Sequence, residues 1–129
     1  EMSSDISENK TLIEDTFQGD IKNIFNNLKV CKNEFGQKIY DHLLRRCPMS
    51  LAITTDLLKF AKSKTLKQCL ETEFQLSQLM VNRDDFNNGV NSVLVVKDHK
   101  PIWNPSSIDQ INYEEVKKMF ISKIEKLYL

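Results

Sequence analysis

The sequence predicts an all-α fold, an orthogonal bundle of about five to seven helices that carries one extended arm. Only three Gly and three Pro occur in 129 residues, and Asn88-Gly89 is the only dipeptide typical of a tight hairpin turn. Apolar residues recur every three to four positions along most of the chain, which is the helical period. We therefore expect a flexible N-terminal segment over residues 1–10 and one helical region over residues 11–129.

The first half of the chain predicts three helices. The first begins near Asp20 and carries an apolar face over residues 21–28. The second has an apolar stripe over residues 35–44 and should end before Pro48, because proline disfavours helical geometry at the preceding residue. A third helix is expected through residues 51–58.

The longest predicted helix starts at Thr65. Together with Gln68 it forms the T-x-x-Q pattern of a capping box, in which each residue satisfies a backbone N–H of the other. Because apolar residues follow over a wide face, this helix is predicted to be the buried centre of the bundle. The apolar positions are Leu66, Leu70, Phe74, Leu76, Leu79, Met80 and Val81.

The C-terminal part mixes helical and irregular segments. Asp84 or Asp85 is expected to cap the next helix, and the β-branched residues 93–96 could form a short strand. Residues 97–111 show no period and are interpreted as a docking or covering arm. The last helix should begin at Asn112. Its predicted apolar face consists of Val116, Met119, Phe120, Ile124 and Leu127.

Composition argues against several classes of partner. Lys plus Arg and Asp plus Glu number 18 each, so the formal net charge is zero and no basic patch for nucleic acid is expected. No apolar run approaches the roughly 20 residues that span a bilayer. Cys31, Cys47 and Cys69 form no CxxC pair, which argues against a disulfide framework or a zinc site and favours reduced thiols inside a cell.

The residues that could carry chemistry form no recognisable catalytic motif. His42 and His99 are far apart, and neither has a neighbour at metal-ligand spacing. Glu71 and Glu73 are two positions apart and do not face each other on a helix. We therefore predict no catalytic residue, no metal and no cofactor in this chain, and we assign no cofactor-binding residue.

A set of short motifs gives the sequence its identity. Residues 47–51 read CPMSL, residues 63–66 read SKTL, and residues 73–77 read EFQLS. The pattern Asp-Phe-x-x-Gly-Val follows from Asp85, and Lys-Asp-x-x-Pro-x-Trp-x-Pro follows from Lys97. This series resembles the C-terminal third of 3-hydroxyisobutyryl-CoA hydrolases, which belong to the crotonase (enoyl-CoA hydratase/isomerase) superfamily. The resemblance is strong over residues 47–105, looser upstream, and weak after residue 111. The signature residues are Pro48, Ser50, Leu51, Lys64, Thr65, Leu66, Glu73, Leu76, Ser77, Asp85, Phe86, Gly89, Val90, Lys97, Asp98, Pro101, Trp103 and Pro105.

The resemblance implies a thioesterase of the mitochondrial matrix that cleaves 3-hydroxyisobutyryl-CoA during valine breakdown. In that family the oxyanion hole and the catalytic carboxylates lie in an N-terminal ββα-spiral core, which this chain does not match. The chain is therefore expected to be the helical cap and assembly region, inactive alone, with that core as its partner. Acyl-CoA would then be the substrate of the parent enzyme, and no cofactor is implied.

Three departures from the family leave an alternative open. The family usually has Arg, an acidic residue and Arg at the positions of Gln75, Asn88 and Asn91, so we expect the corresponding ion pairs to be missing here. This is compatible with a divergent enzyme, but also with a non-enzymatic scaffold, such as a hydrolase-like mitochondrial ribosomal component or a protein-interaction module. Without the core, apolar faces should be exposed and should cause self-association. These faces contain Leu43, Phe74, Phe86 and Trp103.

Overall fold

The structure, a computed structural model, describes residues 4–122. The chain divides into two compact units, Glu1–Arg46 and Cys47–Leu129. The all-α prediction is confirmed, because every regular element within residues 4–122 is helical and eight of them are α-helices. The division after Arg46 falls inside the stretch 11–129 that the sequence suggests as one region.

The first unit contains four helices: α1 (Asp5–Glu8), α2 (Lys10–Thr16), α3 (Ile21–Val30) and α4 (Glu34–Leu43). Ser4 and Ser7 form a capping box at the start of α1. Within the segment expected to be flexible, residues 5–8 are thus helical. The flexibility itself stays a prediction.

Helix α3 begins as predicted. The side chain of Asp20 accepts a hydrogen bond of 2.9 Å from the Asn23 N–H, and it therefore satisfies one of the free amides at the helix start. The apolar face over residues 21–28 is buried at three positions. The stripe on α4 is only half-buried, and the ring of Tyr40 meets that of Phe25 edge-on at 5.8 Å.

The second unit is built from α5 (Pro48–Ala61), α6 (Leu66–Val81), α7 (Asp84–Val90) and α8 (Tyr113–Ile121). Pro48 occupies the first position of α5, where its missing N–H costs nothing. Helix α5 packs against α6 and α8, and α6 also packs against α7 and α8. The buried apolar side chains of this unit are Cys47, Met49, Ala52, Ile53, Leu76, Ile108, Ile111, Val116 and Met119.

Helix α6 has the predicted start but not the predicted burial. The capping box is present, with the Gln68 N–H donating to Thr65 Oγ1 at 3.3 Å. Leu76 is the only buried residue of the helix, whereas Leu66 is 75% exposed and Leu70 is 40% exposed. The prediction of a buried centre is wrong because the neighbouring helices of this unit cover one side of α6 and leave the rest of its apolar face open.

Two predictions around α7 are also wrong. The N-cap position is Arg83, and neither Asp84 nor Asp85 caps the helix; both lie in its first turn. Of the residues expected to form a strand, 93–95 instead belong to a π-helical turn, Asn91–Val95, that continues α7, and Val96 caps that turn. The Val96 N–H donates to the Asn91 carbonyl at 2.8 Å, so the backbone groups of this segment form their hydrogen bonds within the wide turn. No strand lies within residues 4–122 with which they could pair instead.

The segment after the π-helical turn is irregular, as predicted, over residues 97–107, and a 3₁₀ turn follows at Ile108–Gln110. Helix α8 begins after Asn112, whose side chain accepts a hydrogen bond of 3.0 Å from the Glu114 N–H. Its predicted positions Ile124 and Leu127 lie outside the described residues. None of the helices in residues 4–122 has the length and apolar character needed to cross a membrane.

Candidate functional site

The irregular residues 97–107, here called the arm, begin with an unusual backbone. Lys97 has φ 60° and His99 has φ 55°, the left-handed region that side chains other than glycine seldom adopt. Between them, the Asp98 carboxylate accepts a hydrogen bond of 2.9 Å from the Lys100 N–H. This geometry reverses the direction of the chain.

The arm then runs back along α7 and its π-helical extension. Three hydrogen bonds show this antiparallel course, because residues later in the arm bind to residues earlier in α7 and its extension. They join the His99 N–H to the Ser92 carbonyl at 3.1 Å, the Asn88 side-chain amide to the Ile102 carbonyl at 2.9 Å, and the Asn104 N–H to Asp85 Oδ1 at 2.7 Å.

Arg83 holds the far end of the arm. Its Nη2 donates to the Asn104 carbonyl at 2.8 Å, its Nε donates to Asp85 Oδ2 at 3.3 Å, and its Nη1 pairs with Glu115 on α8. The Asp85 side chain is 3% exposed and that of Arg83 is 20% exposed. One guanidinium therefore joins the start of α7, the start of α8 and the arm, which its fixed fork of five donors makes possible.

The charges in this network stabilise one another. Partial burial by itself would lower the pKa of Arg83, but the hydrogen bonds and charges of Glu115 and Asp85 outweigh that effect and raise it. The guanidinium in turn compensates the buried Asp85 carboxylate, which would be costly without a cationic partner. Because three of its five N–H donors bind these acceptors, we interpret Arg83 as a clamp that joins them.

A polar cavity of about 410 Å³ lies beside this clamp. It is lined by Asn82, Arg83, Asp84, Asp85, Asn104, Pro105, Gln110, Asn112 and Glu115. No group of three or more His, Cys, Asp or Glu side chains suited to a metal ion occurs in the described part of the chain.

A further, apolar cavity of about 290 Å³ is also bordered by Asp85. It is lined by Cys47, Ser50, Met80, Asp85, Phe86, Gly89, Val90 and Trp103. A side chain on Gly89 would place its Cβ 3.2 Å from Trp103 Cη2, so glycine is what lets the indole ring approach α7 this closely. Cys47 is a free, buried thiol at this cavity.

The structure brings part of the signature together around these two cavities. The residues that line them are Ser50, Asp85, Phe86, Gly89, Val90, Trp103 and Pro105. Others lie in the arm itself, namely Lys97, Asp98 and Pro101. The functional importance of this set stays a prediction.

The remaining signature residues lie apart from the arm. Pro48 and Thr65 begin helices, Leu51 is half-buried in α5 and Leu76 is buried. Lys64 is exposed, and its Nζ lies 5.2 Å from the centre of the Phe60 ring. Thr65, Leu66, Glu73 and Ser77 are exposed as well.

Sequence reasoning did not identify the clamp. Arg83 contacts residues 21 and 32 positions further along the chain, separations that no helical period connects. Asp85 could have indicated the clamp, because it is a carboxylate among apolar signature residues. A buried acid needs a cationic partner.

Two of the three departures from the family form neutral hydrogen bonds. The side-chain amide of Gln75 donates to the Met119 carbonyl at 2.7 Å and so joins α6 to α8. Asn88 joins α7 to the arm through Ile102. These connections therefore exist here without an ion pair.

The expected exposure of apolar faces is found only in part. Phe86 is 49% exposed, whereas Leu43, Phe74 and Trp103 are half-buried. The largest exposure falls elsewhere. In the described part of the second unit, six apolar side chains are more than three-fifths exposed: Leu58, Leu66, Leu94, Val95, Ile102 and Ile121.

This helical arrangement is that of crotonase-fold proteins. It is similar to a carnitinyl-CoA dehydratase from Mycobacterium thermoresistibile, with a TM-score of 0.88 over 98% of this chain and 36% of that chain, at 20% sequence identity. An enoyl-CoA hydratase from Rhodobacter sphaeroides gives a TM-score of 0.86 over 94% of this chain and 36% of that chain, also at 20% identity.

The chain belongs to the enoyl-CoA hydratase/isomerase family, whose model matches residues 1–120. The family resemblance is thus confirmed, and it extends well beyond residues 47–105. The chain is 35% identical over 118 residues to a mitochondrial 3-hydroxyisobutyryl-CoA hydrolase of Xenopus laevis, with 91% of this chain and 31% of that protein covered. For the Dictyostelium discoideum protein of the same name the identity is 36% over 121 residues, covering 92% and 32%. The chain spans about a third of the length of these relatives.

Proposed function

We propose that this chain is the C-terminal cap and assembly region of a 3-hydroxyisobutyryl-CoA hydrolase-like protein and supplies no catalytic group itself. The observation that carries the proposal is the 35% identity to a hydrolase of which the chain covers 31%. The remaining two thirds of such a protein would supply the ββα-spiral core and the acyl-CoA site. The relatives are named as mitochondrial proteins, which supports a mitochondrial location.

The hydrogen bonds of Arg83 and Asp85 support a structural role, in which these side chains position the arm. Arg83 donates to three acceptors, and the two oxygens of Asp85 accept from Arg83 and from the Asn104 backbone. Groups bound to each other in this manner fix the arm against α7 and α8. A catalytic acid or base would instead need contact with a substrate.

The exposed apolar surface supports a partner from the same polypeptide. Leu66 on α6 is 75% exposed, and Leu94 and Val95 in the π-helical turn are 67% and 69% exposed. Val93 and Val96, which flank Leu94 and Val95, are also exposed, and a run of exposed apolar side chains commonly marks a contact site. In the proposed parent protein, the N-terminal core would cover part of it.

A non-enzymatic scaffold is the second candidate, and the two neutral hydrogen bonds favour it. Gln75 and Asn88 connect helices where the family usually has charged residues. A member that no longer needs the family's charge pattern could serve as a hydrolase-like ribosomal component or an interaction module.

The decisive experiment measures hydrolysis of 3-hydroxyisobutyryl-CoA by three purified proteins. These are the full parent polypeptide, this chain alone, and a chimera that joins the N-terminal two thirds of the Xenopus laevis relative to this chain. We expect turnover by the parent and the chimera but not by the chain. Turnover by the chain alone would contradict its non-catalytic role, and a folded parent without turnover would favour the scaffold.

A further inference from the structure

The end of α7 carries a run of consecutive exposed apolar side chains. Residues Val93–Val96 are between 47% and 69% exposed. Ile102 in the neighbouring arm is 77% exposed, and its carbonyl accepts a hydrogen bond of 2.9 Å from the Asn88 side chain on α7. Residues 93–96 and Ile102 are here called the tip.

The spacing of the apolar residues distinguishes the tip from the open face of α6. Consecutive residues point in different directions around a helix, so the run 93–96 makes this helix end apolar on all sides. The exposed Leu66 and Leu70 of α6 are four residues apart and form a stripe on one side. A stripe is ordinary for a surface helix, whereas a helix that is apolar all round is typical of a protein interior. Only Ser92 of the π-helical turn is buried, so residues 4–122 do not supply that interior.

The backbone beneath the tip is fixed by its own hydrogen bonds. The His99 N–H donates to the Ser92 carbonyl at 3.1 Å. The Asp98 carboxylate accepts from the Lys100 N–H at 2.9 Å and closes the turn between the two parts of the tip. A surface that is already ordered loses less conformational entropy on binding, which favours docking of the tip as a unit.

Basic side chains adjoin the tip. Lys97 and Lys100 are exposed, and the only other formal charge in residues 86–108 is that of Asp98, whose carboxylate is bonded to the Lys100 N–H. A surface that complements the tip is therefore apolar at its centre and carries carboxylates at its edge.

We propose that the tip is the surface through which this chain docks on the N-terminal core of its parent protein. The inference rests on the proposed function, which supplies that core, and it assigns the contact to the tip and not to the open face of α6. The chain covers 31% and 32% of its hydrolase relatives, so the larger part of a protein of that length remains to bury the tip. The matching surface of the core is apolar with an acidic edge.

Photochemical footprinting of the intact parent and of this chain tests the assignment. A small photoactivated diazirine labels exposed side chains, and mass spectrometry of the digested peptides measures the labelling of residues 93–96 and of Ile102. Because the centres of interfaces pack as tightly as protein interiors, we expect roughly fivefold weaker labelling of the tip in the parent than in the chain. Equal labelling, with the chain diluted until it is monomeric, would overturn the assignment.

Leu94→Ser and Leu58→Ser are a matched pair, because these leucines are 67% and 64% exposed in the chain and Leu58 lies on α5. Neither variant should shift the urea midpoint of the isolated chain. In the parent, Leu94→Ser should lower the midpoint, since its hydroxyl would be buried against the core without a hydrogen-bond partner, and Leu58→Ser should not. Equal midpoints for the two parent variants would exclude the tip as the docking surface.

Hydrolysis of 3-hydroxyisobutyryl-CoA by the same parent preparation separates this inference from the proposed function. An active parent whose tip is labelled as strongly as in the chain would refute docking through the tip and leave the hydrolase standing. A folded but inactive parent with a protected tip would support the docking surface and reject the hydrolase.

Discussion

Replacing Arg83 with methionine tests the clamp most directly. The substitution keeps much of the aliphatic stem but leaves the Asp85 carboxylate, 3% exposed, without its ion pair. Breaking a buried pair from one side costs about 3–5 kcal/mol. Because Asp85 retains the Asn104 N–H at 2.7 Å and Arg83 is 20% exposed, we expect a loss of about 2–4 kcal/mol in the free energy of unfolding of the second unit.

Urea unfolding monitored by Trp103 fluorescence measures this loss. Trp103 is the only tryptophan in the chain, so the signal comes from the second unit and from the arm in particular. The double variant Arg83→Met with Asp85→Asn is the matched control. It removes the charge left behind and should recover part of the stability, because an amide is cheaper to bury than an unpaired carboxylate.

Two results would refute the reasoning. A loss below about 0.5 kcal/mol for Arg83→Met would place the clamp among ordinary surface ion pairs. A double variant no more stable than Arg83→Met would show that the unpaired charge of Asp85 is not the source of the loss.

Two further predictions concern packing. Gly89→Ala should shift Trp103 fluorescence, because the new Cβ would lie 3.2 Å from the indole and the ring must move aside. Alanine's better helix propensity, about 1 kcal/mol, offsets this crowding, so we expect a net change in stability below about 1 kcal/mol, and an unchanged spectrum would contradict this contact. In α6, Leu76→Ala should cost about 2–5 kcal/mol, whereas Leu66→Ser, at a position 75% exposed, should change stability by less than about 0.5 kcal/mol. Urea unfolding measures both, and equal losses would contradict the observed burial.

Sequence reasoning succeeded where structure is determined locally. The cap at Asp20, the capping box at Thr65 and the end of the second helix before Pro48 each depend on nearby residues. The family resemblance likewise depends on the order of residues alone, and the comparisons confirm the family. Such features need no knowledge of what packs against them.

It failed where the outcome depends on distant neighbours. An apolar period marks a face of α6 but does not say whether anything covers it, and Leu66 remains exposed. The β-branched residues at the end of α7 would need a partner strand to form a sheet, and they continue as a π-helical turn instead. The partners of Arg83 lie on a later helix and in the arm, so its role follows only from the assembled unit.

The sequence distances spanned by Arg83 also bear on the order of folding. Its contacts with Asn104 and Glu115 close loops of 21 and 32 residues, whereas the bonds within α7 and α8 connect neighbours. Loop closure costs entropy that is recovered only after both ends are in place, and local helices form fastest. The arm should therefore be the last part of the second unit to order and the first to come loose, so its amides should exchange hydrogen sooner than those of the helices that it joins.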